Sequence, residues 1–92
     1  MQYNTKSIGV FYNEIGNDLI AQNNTGHWIR LRYNHIGFSG GGGINFQDNT
    51  SQGVLRKNDV GNAINCTGNT LTPYGGHNTA GSGLNDQCAG LG

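Results

Sequence analysis

The sequence has few charged and few apolar residues, and these shortages exclude several classes of protein. Charged residues make up 11% of the chain and hydrophobic residues 34%. The low charge argues against ordinary disorder, in which weak hydrophobicity is combined with high net charge. With a formal net charge of zero, the composition gives no sign of a broad basic face for nucleic acid. No apolar run approaches the ~20 residues needed to span a bilayer.

Glycine and asparagine are abundant where charged and apolar residues are scarce. The 92 residues include 17 Gly and 14 Asn, and both residue types tolerate tight turns and left-handed backbone conformations. Many turns with little helix-forming sequence predict an all-β fold with short strands. The polar residues 1–4 do not form a secretory signal. The parent protein is therefore either cytosolic or has lost its upstream part.

Two short motifs alternate along the chain, and this internal repeat is the main signal in the sequence. The first motif, aliphatic-x-x-Asn-x-Ile/Val-Gly, occurs at Val10–Gly16, Leu31–Gly37 and Leu55–Gly61, at spacings of 21 and 24 residues. The second, aliphatic-x-small/apolar-Gln/Thr-x-Asn-Thr, occurs at Leu19–Thr25, Ile44–Thr50 and Ile64–Thr70. Both motifs alternate apolar and polar residues over the length of a short strand. One such coil cannot bury its inward side chains alone, whereas stacked coils can.

Stacking would align equivalent residues in columns along the axis. We expect inward columns at Val10/Leu31/Leu55, Ile15/Ile36/Val60, Leu19/Ile44/Ile64 and Ala21/Phe46/Cys66, with Ile8 and Ile29 as a further layer. We expect hydrogen-bonded asparagine ladders in the turns at Asn13/Asn34/Asn58 and Asn24/Asn49/Asn69. The inserted segment Phe38–Gly42 should form a loop.

This pattern resembles the right-handed parallel β-helix repeat family, which is related in architecture to pectate lyases. Leu31–Ile36, Gly43–Phe46 and Asn49–Thr50 carry the resemblance best, and the tail from Cys66 to Leu91 is similar to the C-terminal endings of secreted bacterial members. The resemblance implies an all-β, right-handed parallel β-helix. We expect about three coils in residues 1–70 and a capping tail in residues 71–92. The resemblance says little about activity, because this scaffold hosts lyases, hydrolases, epimerases and adhesins.

Cys66 and Cys88 lie 22 residues apart, Cys66 in the last inward column and Cys88 in the tail. Two independent buried thiols are one interpretation. The other, which we prefer, is a disulfide that pins the tail onto the open end of the solenoid. Such a bond favours an oxidising compartment, so we expect a secreted or cell-envelope protein. No cap precedes the first coil, which suggests missing upstream coils or self-association through that end.

An outward-facing row of cationic and aromatic residues is the candidate functional site. Residues between the inward positions should form the exposed columns Phe11/Arg32/Arg56, Tyr12/Tyr33/Lys57 and Glu14/His35/Asp59. Arginine binds sugar carboxylates through a bidentate fork, and aromatic rings offer stacking platforms. The candidates for binding an acidic polysaccharide are Arg30, Arg32, Tyr33, Arg56, Lys57 and Asp59. The alternative is an ordinary solvent-facing surface with a cross-coil charge ladder. Trp28 could stack on a sugar, but packing under a loop is the commoner role.

Catalysis within these residues is not expected, because the five acidic residues are scattered over the coils and form no opposed pair. Three histidines and two cysteines lack zinc-ligand spacing, and no cofactor motif is present. The leading hypothesis is a non-catalytic, glycan-associated scaffold from an exported protein. The alternatives are the C-terminal piece of a polysaccharide lyase or glycoside hydrolase with catalytic coils upstream, and a structural stalk or adhesin segment.

Overall fold

The computed structural model describes residues 1–37 and 42–92, and within them the regular structure consists only of short strands. Each strand is two to five residues long, because each motif supplies only a few alternating positions before a turn. The strands are β1 Ile8–Phe11, β2 Glu14–Ile15, β3 Leu19–Gln22, β4 Trp28–Arg32, β5 His35–Ile36, β6 Ile44–Gln47, β7 Gln52–Arg56, β8 Asp59–Val60, β9 Ile64–Thr67, β10 Tyr74–Gly76, β11 Thr79–Ala80 and β12 Leu84–Asp86. Apart from Gly42, the predicted insertion loop lies outside the described residues.

The strands form three parallel four-stranded sheets that stack into a β-solenoid. The first sheet has the order β1-β4-β7-β10, the second β2-β5-β8-β11 and the third β3-β6-β9-β12. Each turn of the solenoid contributes one strand to each sheet, so the described residues make about four turns. The predicted all-β parallel solenoid is confirmed. About three coils were expected, and the fourth is supplied by β10–β12 in the tail.

The inward columns are those that the repeat predicts. Val10 pairs in register with Leu31 and Leu31 with Leu55, while Ile15, Ile36 and Val60 align in the second sheet. The third sheet aligns the remaining two columns, Leu19/Ile44/Ile64 and Ala21/Phe46/Cys66. Their members in the second and third turns are almost completely buried. Burial of these side chains is the main stabilising contribution that a stack of short strands can make.

At one level of the core, a large side chain in one column fills the space left by a glycine in the neighbouring column. Ile8 pairs with Ile29, and Ile29 with Gly53, so the aliphatic side chain of this column is missing in the third turn. Phe46 fills the space: a Cβ on Gly53 would lie 2.7 Å from Cζ of the Phe46 ring. Phe46 itself is fully buried. The large ring and the glycine are therefore complementary parts of one packing arrangement.

Both predicted asparagine ladders are present, and each is longer than predicted. The first connects Asn13, Asn34, Asn58 and Asn78 through side-chain hydrogen bonds of 2.9–3.3 Å. The second runs from Asn4 through Asn24, Asn49 and Asn69 to Gln87. The residue before each ladder member has a left-handed backbone conformation, for example Tyr33 with a φ of 57° and Asp48 with a φ of 53°. These turns are tight because the asparagine side chains satisfy their backbone groups.

A disulfide bond joins Cys66 of β9 to Cys88 in the tail, as predicted. Both cysteines are fully buried in the hydrophobic core together with Leu91. The carbonyl oxygen of Leu91 accepts a hydrogen bond of 2.8 Å from Nδ2 of Asn78, the last residue of the first ladder. The final residues therefore pack across the end of the fourth turn.

At the opposite end, the first residues lie along the third sheet. Gln2 forms a parallel bridge with Gln22, and Met1 accepts a hydrogen bond from the Gln22 backbone through its carbonyl oxygen. Ile8, Val10 and Ile15 in the first turn are only partly buried. Self-association through this end stays a prediction.

Candidate functional site

Four of the five basic residues of the chain lie along the first sheet and the turn that follows it. We call Arg30, Arg32, Arg56 and Lys57 the cationic face. Alternation along β4 and β7 points the arginines outward, because the residues next to them, Leu31 among them, are buried inside. Arg32 and Arg56 pair in register, which brings their strands to ~4.8 Å.

The acidic side chains lie elsewhere in the solenoid. Glu14 and Asp59 are in the second sheet, Asp18 and Asp48 in turns, and Asp86 at the end of β12. Among the described residues the only ion pair joins His35 to Asp59, at 3.9 Å. None of the described carboxylates therefore forms an ion pair with Arg30, Arg32 or Arg56. A chain with zero net charge thus carries four basic side chains on one side of the solenoid, and none of the four forms an ion pair with a described residue.

Aromatic rings line the turn beside the cationic face. The rings of Tyr12 and Tyr33 stack in parallel, with centroids 4.8 Å apart and planes inclined by 6°. Nζ of Lys57 lies 5.3 Å from the centroid of Tyr33, in cation–π range. The three residues occupy equivalent positions in successive turns of the solenoid, each with a left-handed backbone conformation. Tyr33 is 42% exposed, so its ring is accessible to a ligand.

Arg32 occupies a more enclosed position than its neighbours. The side chain is half-buried, and its Nε is buried with no hydrogen-bond partner among the described residues. A buried donor without a partner costs free energy. Because this Nε is closed to solvent, the groups that Arg32 can offer to a ligand are the terminal N–H groups of its guanidinium.

The structure brings together five of the six residues that the sequence indicates. Arg30, Arg32 and Arg56 lie on the outer side of the first sheet. Tyr33 and Lys57 directly follow the C-terminal ends of β4 and β7. Asp59 lies beyond the turn, in β8 of the second sheet, where it pairs with His35. Asp59 is highly exposed and stands in register with His35 in the second sheet, apart from the other five candidates.

A groove lies beside the cationic face, and the sequence does not predict it. The groove has a volume of about 300 Å³ and is lined by Ser7, Ile8, Gly9, Phe11, Trp28 and Arg30. The guanidinium carbon of Arg30 lies 5.2 Å from the centroid of the Trp28 ring. Trp28 also contacts Tyr74 edge-on, with centroids 6.5 Å apart, two turns away along the axis. The sequence feature that could have indicated the groove is Gly9, which stands in register with Arg30 and leaves the strand surface open because it has no side chain.

The described residues contain no group of three or more His, Cys, Asp or Glu side chains arranged to hold a metal ion. Glu14 and Asp59, the acidic residues of the second sheet, are separated by the strand that carries His35. The arrangement places cationic and aromatic side chains together on the outer side of the first sheet and the turn that follows it.

No protein-family model, no curated protein and no solved structure matches this chain. Within the described part of the chain, no helix has the length and apolar character needed to cross a membrane. The solenoid architecture is therefore established by the strand pairing alone, and the resemblance to secreted pectate-lyase-like proteins stays a prediction.

Proposed function

We propose that the chain is a non-catalytic scaffold that binds acidic polysaccharide through its cationic face. The observation that carries this proposal is the segregation of charge. Four of the five basic residues share one sheet and its turn, while the carboxylates lie elsewhere and only Asp59 contacts a basic side chain among the described residues, that of His35. An array of unpaired arginines attracts a polyanion more strongly than it attracts a neutral chain.

Aromatic side chains support a saccharide over other polyanions. Tyr12, Tyr33, Phe11 and Tyr74 are each at least 42% exposed, on or beside the same sheet. Exposed rings are costly for solubility and are useful where a ligand has an apolar face to stack on. The C–H face of a pyranose ring meets that description, and its carboxylate suits an arginine fork.

Export from the cell is the second part of the proposal. The Cys66–Cys88 disulfide is buried within the core, and structural disulfides persist in oxidising compartments. A secreted or cell-envelope location also places the cationic face where polysaccharides are abundant. An enzymatic parent with catalytic coils upstream would use the same face to hold its substrate.

The test is equilibrium binding to polygalacturonate, with a neutral galactan for comparison. We expect binding only to the acidic polymer, weaker at high salt because exposed charges are screened. Arg32→Ala/Arg56→Ala should abolish it, Arg32→Lys/Arg56→Lys should weaken it, and Lys6→Ala, which removes a charge outside the cationic face, should leave it nearly unchanged. Absence of binding to acidic and neutral glycans alike would overturn the proposal and leave two hypotheses, the C-terminal piece of an enzyme with catalytic coils upstream and the structural stalk or adhesin segment.

A further inference from the structure

The groove between Phe11 and Trp28 has two aromatic walls and a strand surface at its base. Phe11 is 45% exposed, and Trp28 is half-buried at the start of β4. Trp28 and Arg30 lie on the same outer face of that strand, two residues apart. Because β1 and β4 are neighbours, the groove crosses the first two turns of the solenoid at the edge of the cationic face.

Gly9 makes this groove possible. A Cβ at position 9 would lie 2.6 Å from Cε2 and 2.9 Å from Cζ of the Phe11 ring. The ring therefore lies back over the backbone of Gly9, at a distance that no other residue type would allow without moving it. In the next turn the equivalent outward position is Arg30, and in the third it is Val54. The opening thus occurs at one level of the solenoid and does not recur at the next two.

Arg30 supplies the charge at the groove. Its guanidinium lies over the Trp28 ring, which limits its side-chain freedom while leaving the N–H groups along its edge available. The ion pair between His35 and Asp59 is the only one among the described residues, so Arg30 has no carboxylate partner there. Ser7 adds a hydroxyl group to the lining.

We propose that this groove is a subsite for a single hexuronate ring of the acidic polysaccharide. The ring packs its C–H face against the exposed ring of Phe11, next to Trp28, and its carboxylate accepts hydrogen bonds from Arg30. The volume of about 300 Å³ is at the lower limit of small-molecule sites, which suits one sugar ring rather than several. This inference rests on the proposed function, since Arg32, Arg56 and Lys57 bind the rest of the polymer.

Trp28 is the only tryptophan of the chain, so its fluorescence reports occupation of the groove directly. The experiment titrates the folded chain with trigalacturonate and with its methyl ester, which has the same rings without the charges. Calorimetry on the same samples measures total binding. We expect a saturable change in Trp28 emission with trigalacturonate and a weaker affinity for the ester.

Three variants separate the contribution of aromatic stacking to binding from the contribution of the Arg30 charge. Phe11→Ala should weaken binding of both ligands by roughly three- to tenfold, and Gly9→Ala should do the same by displacing the Phe11 ring. Arg30→Gln should reduce the preference for the acid over the ester, and the remaining preference should come from Arg32, Arg56 and Lys57. Leu71→Ala is the matched control, because Leu71 is as exposed as Phe11, at 45%, but lies outside the groove. Thermal melts verify that each variant is folded.

Failure of the subsite differs from failure of the proposed function. If calorimetry shows binding that Arg32→Ala/Arg56→Ala abolishes, while Trp28 emission and the Phe11→Ala affinity stay unchanged, the groove is not a subsite and the cationic face still binds. If neither trigalacturonate nor polygalacturonate binds at all, both proposals are wrong.

Discussion

Asn34 donates two hydrogen bonds to one oxygen atom of Asn58 in the next turn. Its backbone N–H reaches Oδ1 of Asn58 at 3.1 Å and its Nδ2 reaches the same atom at 3.0 Å. Nδ2 also donates to the carbonyl oxygen of Val10 in the preceding turn, at 2.9 Å. One buried side chain thus links three successive turns, and its copies repeat the connection along the axis.

The central members of this ladder should be important for stability. Asn58→Ala removes the acceptor used by Asn34 and the donor that reaches the carbonyl oxygen of Leu31. Because these groups are buried, we expect a loss of about 2–4 kcal/mol in the free energy of unfolding. Urea denaturation measures the loss.

Asn13→Ala is the matched control for this prediction, since Asn13 is exposed at the open end of the same ladder. We expect it to cost no more than about 1 kcal/mol, because water can replace its hydrogen bonds. Equal losses for the two variants would show that burial of the ladder does not determine its contribution.

The fit between Phe46 and Gly53 gives a second prediction. Gly53→Ala places a methyl group 2.7 Å from the Phe46 ring, and overpacking of this kind costs about 1–3 kcal/mol. Phe46→Leu alone leaves a cavity and also destabilises the fold. The double variant should lose less stability than the sum of the two single losses, because the smaller Leu side chain makes room for the methyl group.

The control for that cycle is Gly90→Ala, where an added Cβ would meet no atom within 4 Å. Urea denaturation of the four chains supplies the coupling free energy. Strict additivity of the two single losses would contradict the proposed complementarity of ring and glycine.

Removal of the disulfide should destabilise the chain by about 3 kcal/mol, because Cys66 and Cys88 close a loop of 22 residues. The measurement compares thermal melts of the native chain and of Cys66→Ala/Cys88→Ala, each with and without reductant. We expect reductant to lower the melting temperature of the native chain only. A double variant that melts at the same temperature as the native chain would rule out a stabilising role for the bond.

The repeat in the sequence predicts most of the fold for a physical reason. Alternating motifs determine which side chains stack, so columns such as Val10/Leu31/Leu55 follow directly. The fourth turn was missed because two of its inward residues are small: Gly75 stands in register with Leu55, and Ala80 with Val60, while Leu84 keeps the aliphatic position of Ile64. Without aliphatic side chains at the first two positions the motif loses most of its apolar signal, although Asn78 and Gln87 extend the two ladders.

The candidate site was predictable only where it depends on strand alternation. Outward positions such as Arg32 and Arg56 follow from that alternation. The groove depends on the direction in which the Phe11 ring lies over Gly9 and on the contact of Arg30 with Trp28. These are side-chain conformations set by packing between turns, and a residue pattern does not specify them.

Mapping of the amide resonances during a titration with trigalacturonate tests most directly whether the outer side of the first sheet is a binding surface. We expect the largest chemical-shift changes in β1, β4, β7 and the turn that carries Tyr33 and Lys57, with little change in the third sheet. If the largest changes instead fell on β3, β6 and β9, or if no resonance moved at saturating ligand, the cationic face would not be the site of glycan binding.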